Sequence, residues 1–598
     1  MLTLIRMVMS FVDPRDHGRL IGLMVMMLGI ALLEMGNLGL VVVLLKILDS
    51  PGQIKAMLFP PFSDWSNDVL AATATAAFGI FFLLKTVAIS AMVYISNHTV
   101  AKMMAEFQAR VFRHQVYRPY LTYLVSSSTT TLQTTVMNSY RGFEALRVLL
   151  NTLIEAVLMA ATGVLLLLVQ PVATLVCGTL LIVLALAFHR LMGPLFQRFG
   201  TELVRTEGHL MAISTQAYHS IRTLKIHHVE PHFEKRFFNA ALRDCAVRAR
   251  SFTVQNVQRL SLEAIVIVAF VIAVLVILFK QGTLQGVMPI LGLFALASLR
   301  LMPSFNRILQ YIADLRQRET PIRVLHADLS KFRNEPTETH QDQARPFTFE
   351  RALKFESVSF SYPGSDRPAL SDINVSVAVG ESVGLVGTSG AGKSSLAEII
   401  LGLLPPTSGR LTLDGIDISR DVAAWQASLG YVPQQVYLLD DTVRRNVAFG
   451  IADAEIDDER VWSALVGAHL TDVIRSLPNG LDAGLGEDGQ RLSGGQRQRI
   501  GIARALYRDP AVLVFDEATS ALDNETEREV TAAIDTLMER KTLIVIAHRL
   551  STVRRCTKIV FLRDGRVVDS GSFDDLLARC AEFRDFAATS AVPSESAA

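Results

Sequence analysis

Cysteine is scarce in this chain of 598 residues. Cys177, Cys245, Cys556 and Cys580 are the four present, with no C-x-x-C pair and no metal-ligand spacing among them. That excludes a disulfide framework and fits a reduced, cytosolic setting for most of the chain. An excess of one charge sign is also missing. Lys and Arg total 58 against 57 Asp and Glu, a net charge of +1, so composition implies no basic surface for a partner such as nucleic acid. A secretory leader is not evident either. Arg6 interrupts the apolar run at 1–11, and Asp13-Pro14-Arg15-Asp16 follows it, whereas a leader needs a basic start, an apolar core and a small-residue cleavage site. The run reads instead as an amphipathic segment at a membrane interface.

Apolar residues are what the chain has in excess. They make up 50% of it, and the mean hydropathy is +0.34, high enough to point to membrane spans. The runs at 20–45, 69–95, 145–169, 172–188, 260–279 and 288–308 are predicted to be membrane helices. Lys102, Arg110, Arg113 and Arg118 lie between the second and third, and Arg190, Arg198, Arg205, Arg222, Lys225 and Arg243 between the fourth and fifth. The third-to-fourth and fifth-to-sixth connections are short and nearly uncharged. The positive-inside rule then puts the long loops and both termini in the cytosol. Stretches 102–117 and 202–238 read as helical, so the membrane helices are expected to extend into the cytosol. On the far side, 53–59 reads either as a short surface helix or as irregular loop.

The expected fold class is multi-domain. A six-helix all-α transmembrane domain spans 1–325, a polar linker 326–346, an α/β phosphate-loop domain 347–586, and a disordered tail 587–598.

The second domain is organised by Gly387-Thr388-Ser389-Gly390-Ala391-Gly392-Lys393-Ser394, which reads G-x-x-x-x-G-K-S. The apolar strand 382–386 precedes it and the helical run from Ser395 follows. In that context the glycines turn backbone N–H groups inward and the helix N-terminus adds its positive end. Lys393 would reach the β- and γ-phosphates and the Ser394 hydroxyl would hold Mg2+. Residues 387–395 are therefore the expected phosphate contacts. Asp516 ends the apolar strand 511–515, where a carboxylate holds the same cation. Glu517 follows it and is placed to act as general base on the attacking water.

Residues 350–580 resemble the nucleotide-binding domain of an ABC transporter. The most specific mark is Leu492-Ser493-Gly494-Gly495-Gln496. The resemblance implies that Ser493, Gly494, Gly495 and Gln496 cap the γ-phosphate of ATP held by a second subunit, hence a homodimer with two ATP sites at its interface. It further implies that Tyr362 stacks on adenine, that Gln434 senses Mg2+ and couples to the membrane helices, that Ser520-Ala521-Leu522-Asp523 touches the opposite site, and that His548 is the switch histidine. Gly486-Glu487-Asp488-Gly489 is similar to the exporter loop that meets the cytosolic helix tips. The implied cofactors are ATP and Mg2+, and the implied activity is ATP hydrolysis coupled to transport.

Six membrane helices before one such domain resemble an exporter half-transporter, multi-pass in a bacterial inner membrane. Residues 299–308 and Ile221-Arg222-Thr223-Leu224-Lys225 are similar to short segments of bacterial lipid-linked oligosaccharide flippases, which implies a polyprenyl-pyrophosphate glycan moved from inner to outer leaflet. Charges within spans are costly and suggest function. Lys85, Arg300 and Arg307 fall in the cytosolic half of the bundle and Arg259 at its inner end, so these cations are expected to form a belt for a pyrophosphate head group. Glu34 falls in the outer half, too far to pair with Lys85. The competing expectations are snorkelling or ion-paired cations, a drug, lipid or peptide exporter, a soluble ABC ATPase, and a channel or receptor regulator.

Overall fold

The computed structural model describes residues 2–49, 66–125, 131–169, 171–281, 288–332, 346–518, 524–547 and 549–591. Stretches 53–59 and 520–523 and His548 lie outside them, and so does the side chain of Arg300. Two compact units divide the chain: residues 1–118 with 122–337, and residues 119–121 with 338–598.

The first unit is helical. Its elements are α1 (Leu2–Met9), α2 (His17–Asp49), α3 (Asn67–Val116), α4 (Tyr120–Val125, whose first residues belong with the second unit), α5 (Ser139–Val169), α6 (Pro171–His219), α7 (Ile221–His227), α8 (Glu230–Gln281), α9 (Met288–Gln317) and α10 (Glu319–Phe332). Each predicted span lies inside one of the long helices. Among the described residues, 14–34, 68–116 and 133–164 are long and apolar enough to cross a membrane.

Helix α3 shows why the spans outrun a bilayer. Ser66 caps it by accepting from the Val69 N–H at 3.3 Å, and Asp68 adds a carboxylate to its first turn. It then continues for 50 residues, about 75 Å at 1.5 Å per residue, against roughly 30 Å of hydrocarbon. The stretch 202–238 is helical but not continuous. Ser220 separates α6 from α7, and His228, at φ 52°, turns the chain before α8.

Helix α1 is amphipathic as expected, but its apolar side faces protein. Leu4, Val8 and the following Phe11 are buried, with the Phe11 ring 5.4 Å from Phe107, which lies 5.2 Å from Phe143. Elsewhere Gly200 of α6 meets the α9 backbone so closely that a Cβ there would lie 1.9 Å from the Gln317 carbonyl oxygen. Two predicted boundaries move. Helix α10 runs through 325, with Ile322 and Leu325 fully buried. A last helix, α15 (Ala581–Ala591), runs past 587 because Phe583 and Phe586 pack on Phe561.

The intramembrane charges also differ from expectation. Glu34 is within reach of Lys85, Oε2 to Nζ 3.3 Å, and Lys85 is only 7% exposed. Two antiparallel neighbours bring together residues that a depth count along each helix alone keeps apart. Arg307 donates to Glu155 at 3.1 Å, and Arg259 pairs with Glu263 one turn on, 3.0 Å. The three described cations of the expected belt therefore each have a carboxylate partner; Lys85 is the buried one of the three, and Arg259 is largely exposed.

The second unit holds two sheets. Strands β1 (Ala352–Phe360), β2 (Leu370–Ala378), β4 (Ser408–Leu413) and β5 (Ile416–Asp417) form an antiparallel sheet in the order β2-β1-β4-β5. Strands β3 (Ser382–Gly387), β6 (Leu429–Val432), β7 (Val512–Asp516), β8 (Thr542–Ile546), β9 (Lys558–Arg563) and β10 (Arg566–Gly571) form the other, in the order β10-β9-β3-β8-β7-β6. The pairs β3–β9, β3–β8, β8–β7 and β7–β6 are all parallel. Every residue of β3 and β8 is buried, the continuous apolar pattern of a sheet covered on both faces. The helices that matter below are α11 (Lys393–Ile400), α12 (Val422–Ala427), α13 (Gly494–Leu506) and α14 (Asn524–Met538). Helix α12 is locked to α11 by Trp425, which is fully buried and donates its indole N–H to the Ile400 carbonyl at 2.6 Å.

Candidate nucleotide site

Four neighbouring parallel strands end at the same edge, and the expected site residues follow their carboxyl ends. Gly387 closes β3, Asp516 closes β7 and is followed by Glu517, and Gln434 comes two residues after β6. Ala547 follows β8. In an open parallel sheet this edge is where ligands sit, so topology alone gathers groups that are up to 130 positions apart (517 against 387).

The loop after β3 reaches α11 through Gly392, at φ 95°, where a Cβ would stand 2.7 Å from the Ala369 carbonyl oxygen. Only glycine fits there, because a side chain meets both an unfavourable backbone region and a wall. Lys393 is 5% exposed and donates to the Gly387 carbonyl at 2.8 Å and to Thr388 at 3.1 Å. Its ammonium is thus folded back across the loop. Burial pushes its pKa below the ordinary lysine value, and the Glu517 carboxylate opposes that shift. Thr388, Ser389, Gly390 and Ser394 are exposed around it, so the cradle faces outward.

Opposite the loop stands a pair of carboxylates. Asp516 accepts from the Tyr431 hydroxyl at 3.4 Å. Glu517 sits at φ 48° with its N–H on the Ile546 carbonyl at 2.9 Å, and its Oε2 accepts from the Gln434 amide at 2.6 Å. A non-glycine residue held in the left-handed region signals a position fixed by its surroundings. These donors suit a hard divalent cation. The Ser394 hydroxyl and the Asp516 carboxylate offer oxygen only, and among the described residues no cluster of three His, Cys, Asp or Glu forms a cage. One or two carboxylates completed by phosphate and water is the manner in which Mg2+ binds.

Ser493 and Gln496 form a reciprocal cap on α13. The Ser493 hydroxyl accepts from the Gln496 N–H at 3.2 Å, and Gln496 Oε1 accepts from the Ser493 N–H at 2.9 Å. The signature is thus a capping box, and Gln496 turns back to its own helix. Helix α13 packs on β6, with Gln498 donating to the Pro433 carbonyl at 3.1 Å. Strands β7 and β8 stand between β6 and β3.

Tyr362 packs edge-to-face on Phe360, centroids 4.9 Å apart. Its hydroxyl is 3.0 Å from Ser395 Oγ and donates to Glu398 at 3.2 Å. The Tyr120 hydroxyl donates to the other oxygen of Glu398, also at 3.2 Å. Burial raises the pKa of both phenols and the Glu398 carboxylate adds to it, so both remain donors. Glu398 and Tyr120 carry no motif and were not expected at the site. The one signal is spacing: Ser395 and Glu398 are three apart on α11, hence on one face.

Residues 370–520 match the family model described as ABC transporter. The ATP-dependent lipid A-core flippase of Thiobacillus denitrificans is 37% identical over 379 residues, 62% of this chain and 64% of that protein. The protein of the same name from Ralstonia nicotianae is 47% identical over 243 residues, 40% of each chain. The matched stretches thus span less than two thirds of these relatives' lengths. A bacterial Atm1-family ABC exporter solved with ATP bound is similar over 97% of this chain and 100% of its own, with TM-score 0.80 and 24% identity. The chain accordingly has the fold of that exporter, a helical N-terminal domain followed by an α/β domain, and residues 370–520 of the α/β domain match the ABC transporter family.

Proposed function

We propose that this chain is an ATP-driven exporter working as a homodimer in a bacterial inner membrane, and that its cargo is a phosphorylated glycolipid. The observation that carries the proposal is the shared edge of β3, β7 and β6. There Lys393, Asp516, Glu517 and Gln434 converge, with the Gln434 amide 2.6 Å from Glu517. ATP with Mg2+ would supply the phosphoanhydride to be cleaved. Lys393 and the loop amides bind its phosphates, Ser394 and Asp516 hold the cation, and Gln434 keeps the Glu517 carboxylate oriented to draw a proton from water. Tyr362 offers a ring to the base, and His548 is assigned the γ-phosphate contact.

The homodimer is supported by topology. Ser493 and Gly494 open a helix packed on β6, and two strands separate β6 from the phosphate loop of the same subunit, about 14 Å at ordinary strand spacing. That separation favours a cap acting on a second copy. Co-assembly of a Lys393→Ala chain with a Ser493→Ala chain tests this, since such a pair has one intact composite site. Recovered hydrolysis supports the shared site, and a mixture as inactive as either variant alone refutes it.

For the cargo, the names of the curated relatives favour a lipid A-core type glycolipid. The similarity of 299–308 and 221–225 to oligosaccharide flippases favours a polyprenyl-pyrophosphate glycan, which shares the phosphate and the sugars. The pairing of Lys85, Arg259 and Arg307 with carboxylates removes support from a free cation belt, so the choice rests on similarity. ATPase stimulation across lipid A-core, polyprenyl-linked glycan, drug and peptide separates these readings. A response to drug or peptide alone sinks the glycolipid proposal.

A further inference from the structure

The Glu398 carboxylate lies one turn beyond Ser395 on the helix that follows the phosphate loop, and both of its oxygens are used. Oε2 accepts from Tyr362 and Oε1 from Tyr120, each at 3.2 Å. Tyr362 is therefore held at three points: by Glu398, by the Ser395 hydroxyl at 3.0 Å and by the edge of Phe360 at 4.9 Å. A phenol with two free torsions would otherwise sample several orientations. Charge-assisted bonds to a carboxylate are stronger than neutral ones, and the second phenol fixes the acceptor itself. The ring is thus set in place by the same helix whose first residues take the phosphates.

We propose that Glu398 is a positioning residue for base recognition: it clamps the Tyr362 ring in its stacking orientation, so that the site gains affinity from the nucleobase without reordering that side chain. This rests on the nucleotide-site reading above. Glu398 touches neither phosphate loop carbonyl nor reacting group, so its contribution lies in binding and not in the chemical step. Immobilising one rotamer-rich side chain in advance corresponds to about a 3- to 10-fold gain in affinity.

The test uses the full chain and measures KM and kcat for ATP hydrolysis together with competitive inhibition by inorganic tripolyphosphate, which has no base. The variants are Glu398→Ala, Glu398→Gln and Tyr362→Phe, the last keeping the ring and removing only its hydroxyl. Glu398→Ala is expected to raise KM about 3- to 10-fold, to leave kcat within about 2-fold, and to leave the inhibition constant of tripolyphosphate unchanged. Tyr362→Phe should match it, the double variant should add nothing further, and Glu398→Gln, which keeps an acceptor oxygen, should recover part of the loss. An unchanged KM in Glu398→Ala overturns the proposal. So does an equal weakening toward tripolyphosphate, which would make Glu398 a support of the phosphate loop. Failure of the unsubstituted chain to bind ATP would instead overturn the nucleotide-site reading.

Discussion

The Gln434 amide donates to Glu517 Oε2 at 2.6 Å, although the two residues are 83 positions apart in the chain. The contact exists because β6 and β7 are parallel neighbours, with Val432 opposite Phe515, so the residues after each strand emerge side by side. Glu517→Gln keeps the shape and removes the proposed base. Its kcat for hydrolysis should fall by about 10^2- to 10^4-fold, the usual worth of a positioned general base. Equilibrium binding of ATP should survive, and titration of the two proteins with a fluorescent ATP analogue checks it.

Lys393 is buried across its own loop, and that burial lowers its pKa. Between the depressed folded value and the ordinary lysine value the unfolded chain binds more protons, so stability rises with pH there and the charged form is penalised below it. Without nucleotide, Lys393→Met should melt at the same temperature as the parent or higher near neutral pH. With ATP and Mg2+ present, the parent should gain thermal stability and the variant should not.

Cys556 shows the opposite alkaline behaviour. Burial, helped by the Asp535 carboxylate and opposed by a hydrogen bond with Ser382, pushes its thiol up to about 12 from an ordinary 9.0. Between those values the folded state keeps a proton that the unfolded state has lost. Stability therefore falls as pH rises through that window, by about 1.4 kcal/mol per unit at most. Denaturation followed through the buried Trp425 at about pH 8 and about pH 10 should show this fall, and Cys556→Ala should lose part of it. Maleimide should label the exposed Cys245 in the folded protein and leave Cys556 untouched.

The Lys85 ammonium faces Glu34 at 3.3 Å and lies over the Phe82 ring, 4.9 Å from its centroid. Glu34→Gln leaves that cation buried without its counter-charge, which typically costs about 3–5 kcal/mol. The expected outcome is a lower melting temperature in detergent. Exchanging the two residues, Glu34→Lys with Lys85→Glu, should restore most of it. A single Glu34→Gln variant as stable as the parent would return Lys85 to the set of cations available for cargo.

The phosphate loop, Asp516, Glu517 and Gln434 were legible in the sequence because each is tied to a short apolar strand, and strand ends in a parallel sheet converge by topology. The long helices were legible from their apolar runs. What was not legible depends on contacts between distant segments. Glu34 and Lys85 lie on different helices, and nothing in a depth count along one helix reports their packing. Tyr120 and Glu398 are 278 positions apart and neither stands in a motif. The extent of the last helix is not legible for the same reason: Phe583 and Phe586 form a fading apolar pattern in the sequence, and Phe561 packs beneath them in the fold.

Hydrolysis at this edge is proposed to drive movement of a lipid across the membrane. The most direct measurement is leaflet-specific labelling of a lipid A-core glycolipid in proteoliposomes that hold the full chain with its ATP-binding domain outward. The proposed coupling predicts ATP-dependent transfer by the parent chain and none by Glu517→Gln, which is expected to bind ATP still. Transfer that continues in Glu517→Gln, or brisk hydrolysis by the parent with no transfer of lipid A-core or polyprenyl-linked glycan, would contradict it.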